Sequence, residues 1–189
     1  MGTLQVGGTT LGVKNTSTNK VDLSNASIGS DTVFPAGGTG NAVSIATLVD
    51  EVGVADAGNA VSGGWYTRNL NTANDPDSII SSLSSQQFTL GAGRYFISAI
   101  SPAYKVGQYQ IRLYDVTGSA VLKLGSTAYA NTSDHVVICS SVQYVHTPTA
   151  SNTYKIEYRA SSNQSTNGLG VGTGWGNNVY TQVIIEKLK

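Results

Sequence analysis

Along the second two thirds of the chain, hydrophobic and polar residues alternate with a period of two. The clearest case is Tyr154-Lys-Ile-Glu-Tyr-Arg-Ala160: Tyr154, Ile156, Tyr158 and Ala160 fall on one face, Lys155, Glu157 and Arg159 on the other. Such a segment buries one face and hydrates the other only as a half-buried strand. Similar runs occupy 65–70, 78–83, 87–90, 94–106, 108–116, 120–125, 135–145 and 179–189. Turn signals separate them: Asn74-Asp-Pro-Asp77, Gly91-Ala-Gly93 and Thr117-Gly118. About nine short strands at turn spacings of about 8–12 residues predict an all-β antiparallel sandwich of the jelly-roll kind over residues 62–189. No segment there has the length and 3.6 period of a crossover helix, which argues against a parallel sheet.

The first 61 residues read differently. Segments 4–13 and 20–28 are strand-like and flank the turn-forming Asn15-Thr-Ser-Thr-Asn19, predicting a β-hairpin that needs a surface to pack on. A Gly/Ala-rich stretch follows, in which Gly-Asn-Ala-Val-Ser begins at Gly40 and again at Gly58, two copies being too few for a repeat architecture. Between the copies, Ile45, Leu48, Val49 and Val52 stand at i, i+3, i+4 and i+7. That spacing predicts a short helix over 44–52, started by Ser44 and ended by Gly53. So short a helix requires a docking surface, and residues 1–61 are expected to form a docking segment.

Composition narrows the partners. Lys and Arg total 11 of 189 residues and Asp and Glu also total 11, so the formal net charge is zero and only 12% of residues are charged. Nucleic-acid binding needs a clustered basic excess, which is missing. No stretch is long and apolar enough to span a bilayer, and the N-terminus lacks the pattern of a signal peptide or of myristoylation. Asn15, Asn25, Asn131 and Asn163 head N-x-S/T triplets, as expected of a chain rich in Asn, Ser and Thr. Low surface charge removes self-repulsion and favours obligate assembly. Cys139 is the only cysteine, so no intrachain disulfide forms.

Catalytic patterns are absent from the sequence. His135 and His146 have no Cys, His or carboxylate partner at ligand spacing, and His146, before Thr147-Pro148, reads as a solvated loop-edge side chain. Asp75 and Asp77 offer oxygens that could touch calcium, but Asp beside Pro is ordinary turn chemistry. There is no G-x-S-x-G elbow, and no cofactor motif. The tract Gly168-Leu-Gly-Val-Gly-Thr-Gly174 breaks the dinucleotide register at Thr173 and predicts a strand face bare of side chains, open to close backbone approach at a symmetry axis or another sheet. Ten tyrosines against three phenylalanines place Tyr154, Tyr158 and Tyr180 on the apolar face, whose destination is the sandwich interior or a threefold axis. With Ile45, Leu48, Val49 and Val52 they are the candidate docking and interface residues.

Several of these segments resemble a module of tailed-phage structural proteins: Trp65-Tyr-Thr-Arg-Asn-Leu-Asn-Thr72, Asp75-Pro-Asp-Ser-Ile-Ile80, Phe88-Thr-Leu-Gly-Ala-Gly-Arg-Tyr95, Ser101-Pro-Ala-Tyr-Lys-Val106 and Gln110-Ile-Arg-Leu-Tyr-Asp115. Tyr154-Lys-Ile-Glu-Tyr-Arg159, Asn167-Gly-Leu-Gly170 and Tyr180 leading into Val183-Ile-Ile-Glu-Lys187 continue the match. The module is similar in layout to the jelly rolls of complement-type globular heads and tumour necrosis factor, which assemble as trimers. The resemblance implies a non-enzymatic homotrimer on the virion surface, made in the host cytoplasm. Its partners would be the major capsid protein or a tail component, and possible contacts include host surface glycans. No long heptad or repeat shaft precedes the module, which favours a capsid decoration or head-fibre protein over a receptor-binding tail-fibre tip.

Overall fold

The computed structural model describes residues 3–6, 9–15, 20–22 and 43–188. The chain divides into two compact units, Met1–Ala42 and Val43–Lys189. In the first, β1 (Thr3–Val6), β2 (Thr9–Asn15) and β3 (Lys20–Asp22) form an antiparallel sheet in the order β1-β2-β3. The segment expected to be one strand over 4–13 is thus two strands flanking Gly7 and Gly8, and the hairpin becomes a three-stranded meander. The turn after Asn15, residues 23–28 of the expected second strand, and the Gly/Ala-rich stretch up to residue 42, including the start of the first Gly-Asn-Ala-Val-Ser copy at Gly40, lie outside the described residues.

The second unit contains two packed antiparallel sheets and, among its described residues, no helix. Its strands are β4 (Ser44–Val52), β5 (Tyr66–Thr67), β6 (Thr72–Asn74), β7 (Ile80–Ser84), β8 (Gln87–Leu90), β9 (Arg94–Tyr104), β10 (Gly107–Asp115), β11 (Ala120–Ala130), β12 (Val137–His146), β13 (Asn152–Ala160) and β14 (Asn178–Leu188). Sheet I runs β11-β10-β13-β8-β7, with β5 also paired to β13; sheet II runs β12-β9-β14-β4-β6. This is the expected jelly roll.

The helix expected over 44–52 is instead β4. Ala46, Leu48 and Asp50 point into the sandwich and are at most 1% exposed, while Ile45, Thr47 and Val49 point outward. The apolar set fits a 3.6 period, but as a strand it divides between the two faces, with Ile45 and Val49 outward and Leu48 inward. Two facts decide for the strand: Ile45, Thr47, Val49 and Val52 are β-branched and suit a pleated surface, and β14 offers a ladder running from Ser44↔Lys187 to Val52↔Asn178. Tertiary pairing overrides the weak helical pattern, and residues 43–61 go with the body, not with an N-terminal segment ending at 61.

The core lies between the sheets. Phe88, Leu90, Ile111, Leu113, Tyr154 and Ile156 come from sheet I; Leu48, Tyr95, Ile97, Val183 and Ile185 come from sheet II. A polar bridge crosses it. Arg68, fully buried, donates from Nε to Thr181 Oγ1 (2.7 Å) and from Nη2 to the Leu169 carbonyl (2.9 Å). Thr181 is 3.3 Å from Ser101 Oγ, which is 2.9 Å from the Tyr109 hydroxyl. Along one side the edge strands β11 and β12 close the sandwich: Ser140 Oγ donates to the Ser126 carbonyl (2.6 Å) and accepts from Ile111 N–H (3.0 Å).

Candidate functional site

The outer faces of the two sheets distribute charge differently, although both expose apolar side chains, on sheet I Val121, Leu124 and Tyr129 of β11. On sheet I the outward positions of β13 are Thr153, Lys155, Glu157 and Arg159, and those of β10 are Gln108, Gln110, Arg112 and Tyr114. Glu157 faces outward yet is only 5% exposed, because Arg112 Nε (2.6 Å) and Lys155 Nζ (2.8 Å) cover its carboxylate. The Arg112 guanidinium lies 4.3 Å from the Trp65 ring and 5.0 Å from the Tyr114 ring. This face is paired, charged and hydrated, as the outside of a sandwich should be.

Sheet II is unlike it. Its register aligns Val145, Phe96, Glu186 and Ile45 in one row, Gln143, Ser98, Ile184 and Thr47 in the next, and Ser141, Ile100, Gln182 and Val49 in a third. Ile45, Ile100 and Ile184 are 42, 42 and 44% exposed. Charged side chains on this face stand at its ends, Arg94 and Glu186 at one and Glu51 at the other. Aliphatic residues interleaved with uncharged polar ones, with charge kept to the margins, are the composition of a non-obligate protein interface.

The glycine tract 168–174 is not a strand, and its close approach is within the chain. A Cβ on Gly168 would lie 2.6 Å from Ala60 Cβ, one on Gly170 2.3 Å from Tyr180 Cδ1, and one on Gly172 3.0 Å from the Ala55 carbonyl oxygen. The glycines therefore admit segment 54–60, not a symmetry mate. Asn178 anchors the same loop, accepting from Thr173 N–H (2.9 Å) and donating to the Gly53 carbonyl (2.7 Å). Between Gly174 and Gly176 the loop holds Trp175 92% exposed, a presentation of the kind that anchors binding partners.

The seven residues singled out in the sequence separate into two groups. Ile45 and Val49 stand on the outer face of sheet II, whereas Leu48 is fully buried and Val52 is half-buried at the strand end. Tyr154, Tyr158 and Tyr180 are buried. Tyr158 stacks on Tyr109, and Tyr180 donates to the Ala55 carbonyl (2.8 Å). Of the two destinations open to the tyrosine face, the sandwich interior is the one taken. The sequence reading missed Phe96, Ile100, Val145 and Ile184. Their signal was present in the runs Tyr95-Phe-Ile-Ser-Ala-Ile100 and Val183-Ile-Ile185, whose consecutive apolar residues mark strands covered on both faces.

Asp75 accepts from Ile79 N–H (3.0 Å) and Ile80 N–H (2.7 Å), the turn role expected of it, whereas Asp77 accepts from Ile45 N–H (3.3 Å) at the start of β4. His146 is half-buried, not a freely solvated loop-edge side chain. It packs on Tyr144 and Tyr154, its Nε2 is buried without a partner among the described residues, and burial lowers its pKa while Asp115 opposes that shift. His135 Nδ1 is hydrogen-bonded to the Tyr104 hydroxyl. Cys139 is on the outer face of sheet II, with its thiol pKa raised by partial burial.

No family model and no curated protein matches this chain. Solved structures do. The globular domain of the zebrafish complement 1qA protein superposes with a TM-score of 0.51 at 13% identity, covering 78% of this chain and 98% of that one. Murine APRIL in its pH 8.0 crystal structure gives a TM-score of 0.51 at 10% identity, covering 78% of this chain and 100% of that one. At such identities the likeness defines the fold, a jelly roll of the complement-head and tumour-necrosis-factor type.

Proposed function

We propose that this protein is a non-enzymatic structural component of a phage virion, a homotrimer on the particle surface that decorates the capsid or forms a head fibre. The observation that carries the self-association is the outer face of sheet II, where exposed Ile45, Ile100 and Ile184 and the outward Val49 stand among uncharged polar residues and the charges are marginal. Three copies packed through this face would remove it from water and leave the charged face of sheet I outside. The separate unit Met1–Ala42 is the segment that docks on the major capsid protein or a tail component. The body projects outward, where it stiffens the shell and touches host surface glycans. The virion assignment rests on the sequence resemblance. Sedimentation equilibrium of the purified chain should return three times the 19.6 kDa chain mass, and imaging of intact particles with an antibody to the body should label capsids. A monomer at micromolar concentration removes the trimer; label confined to tail tips removes the decoration role.

Trp175 on its anchored loop favours a second reading, a receptor-binding tail-fibre tip that holds host polysaccharide. Under that reading the purified protein blocks phage adsorption, and a Trp175→Ala variant does not.

A further inference from the structure

On sheet I, away from the apolar face, a groove of about 610 Å³ runs between the strand ends of β10, β11 and β13 and the segment at Ser62 and Gly63. Its volume falls in the range of small-ligand sites. Register sets its polar lining. Arg159 is the cross-strand partner of Gln110, and Gln110 that of Thr127, so a guanidinium, an amide and a hydroxyl form one row across three strands. Gln108 lies two residues before Gln110 on the same face, beside its own partner Tyr129, whose ring is 64% exposed.

The groove is held in shape before any ligand arrives. Gln110 Nε2 donates to the Gly125 carbonyl (2.8 Å), which fixes the amide and leaves its Oε1 as an acceptor. The opposite rim is pinned by three hydrogen bonds: Ser62 N–H to Asn163 Oδ1 (2.7 Å), Val61 N–H to the Tyr158 hydroxyl (3.1 Å), and the Tyr66 hydroxyl to the Ser62 carbonyl (3.3 Å). Gly63 completes the rim at φ +91°, in the left-handed region that favours glycine. Such pre-organisation lowers the ordering cost of binding.

Charge selects the ligand. The lining holds one cation, Arg159, and no carboxylate. Arg159 has no ion-pair partner among the described residues, since the nearby Glu157 is already taken by Arg112 and Lys155. A guanidinium is built for two parallel hydrogen bonds to a carboxylate. The amides and hydroxyls around it suit a ligand that carries many hydroxyls, and an exposed tyrosine ring beside them suits an apolar ring face.

We propose that this groove binds an acidic saccharide. Arg159 takes the carboxylate, Gln108 and Gln110 take ring hydroxyls, and Tyr129 lies against the sugar. The site adds a ligand to the projecting body and stands whether or not the chain is a trimer or part of a virion.

Calorimetric titration with 3′-sialyllactose and digalacturonate, with lactose and inorganic phosphate as controls, tests it. At least one acidic saccharide should bind at least tenfold more tightly than lactose. Arg159→Gln should weaken that binding at least tenfold and Gln108→Ala at least threefold. Lys123→Gln, elsewhere on β11, should leave it unchanged, and circular dichroism should show every variant folded. Equal binding of lactose, or full binding by folded Arg159→Gln, overturns the assignment of the carboxylate to Arg159. Displacement by equimolar phosphate together with indifference to Gln108→Ala makes the groove a simple anion site and overturns the saccharide. No binding of either acidic sugar at millimolar concentration overturns the proposal outright.

Discussion

Replacing Arg68 by Met tests the polar bridge inside the sandwich. Met fills much of the arginine stem's volume, so the change removes charge and hydrogen bonds more than packing. Two charge-assisted bonds are lost, to Thr181 Oγ1 and to the Leu169 carbonyl, each worth about 1.5–3 kcal/mol. Asp50, 1% exposed with Oδ1 lacking a hydrogen-bond partner among the described residues, loses the cation that partly offsets its burial. The expected destabilisation is about 3–5 kcal/mol at pH 7, from the two charge-assisted bonds together. The pH dependence identifies its origin. Asp50 has its pKa raised above 3.8 by desolvation, with Arg68 pulling the other way. Removing Arg68 lifts it further, so below that folded pKa the folded chain holds a proton that the unfolded chain does not hold until near 3.8. The variant therefore regains stability relative to the parent as pH falls from 7 toward 4. Urea unfolding across this range, with Asp50→Asn added to the Arg68→Met background, measures both effects. The second substitution should restore at least 1 kcal/mol at pH 7. A deficit independent of pH, or an Arg68–Asp50 coupling below about 0.5 kcal/mol, refutes the reasoning.

Three further perturbations separate the other parts of the structure. Gly170→Ala places a Cβ 2.3 Å from the Tyr180 ring at φ +147° and should cost about 2–4 kcal/mol in urea unfolding; Gly174→Ala, with nothing within 4 Å, should cost only about 1 kcal/mol for its left-handed backbone. Ile100→Glu with Ile184→Glu should convert the proposed trimer to monomer in sedimentation velocity, since each isoleucine has about 1 kcal/mol of burial still to gain per copy, and an unpaired carboxylate reverses it; a double variant that stays trimeric at micromolar concentration excludes this face as the interface. His146 has a folded pKa below its ordinary 6.5, so the unfolded chain protonates first and stability is lost as pH falls below about 6.5. His146→Phe should show a smaller drop in urea midpoint between pH 7.5 and 5 than the parent, and an equal drop contradicts the assignment.

The body of the fold was legible because the central strands of sheet I, β8, β10 and β13, write their own burial. Tyr154, Ile156, Tyr158 and Ala160 go in, and Lys155 and Arg159 go out, as a period of two requires. Strand β4 was misread for a physical reason: Ile45, Leu48, Val49 and Val52 have helical spacing because both faces of this strand carry apolar residues, and the ladder of β14 that makes it a strand is more than 120 residues away. The glycine tract was read correctly as a place of close approach, but the approaching segment, 54–60, has no local mark in the sequence. His146 looked solvated because it ends a strand beside Thr147-Pro148, and only the stacking of sheet II on sheet I brings Tyr154 over its ring.

The two candidate surfaces differ in legibility for the same reason that they differ in chemistry. An apolar outer face leaves a trace in one dimension. Strands β9, β12 and β14 carry apolar residues at consecutive positions, and a strand covered on one side alone has no use for them. Self-association can therefore be argued from Ile100 and Ile184 before any contact is known. The groove leaves no such trace. Gln108, Gln110, Thr127 and Arg159 are ordinary outward residues on ordinary strands, and they become a site only because β13, β10 and β11 are neighbours in that order. Segment 61–63 makes the second wall by crossing beside Ala160. The proposed assembly face is thus written along the strands of this protein, and the proposed recognition groove across them.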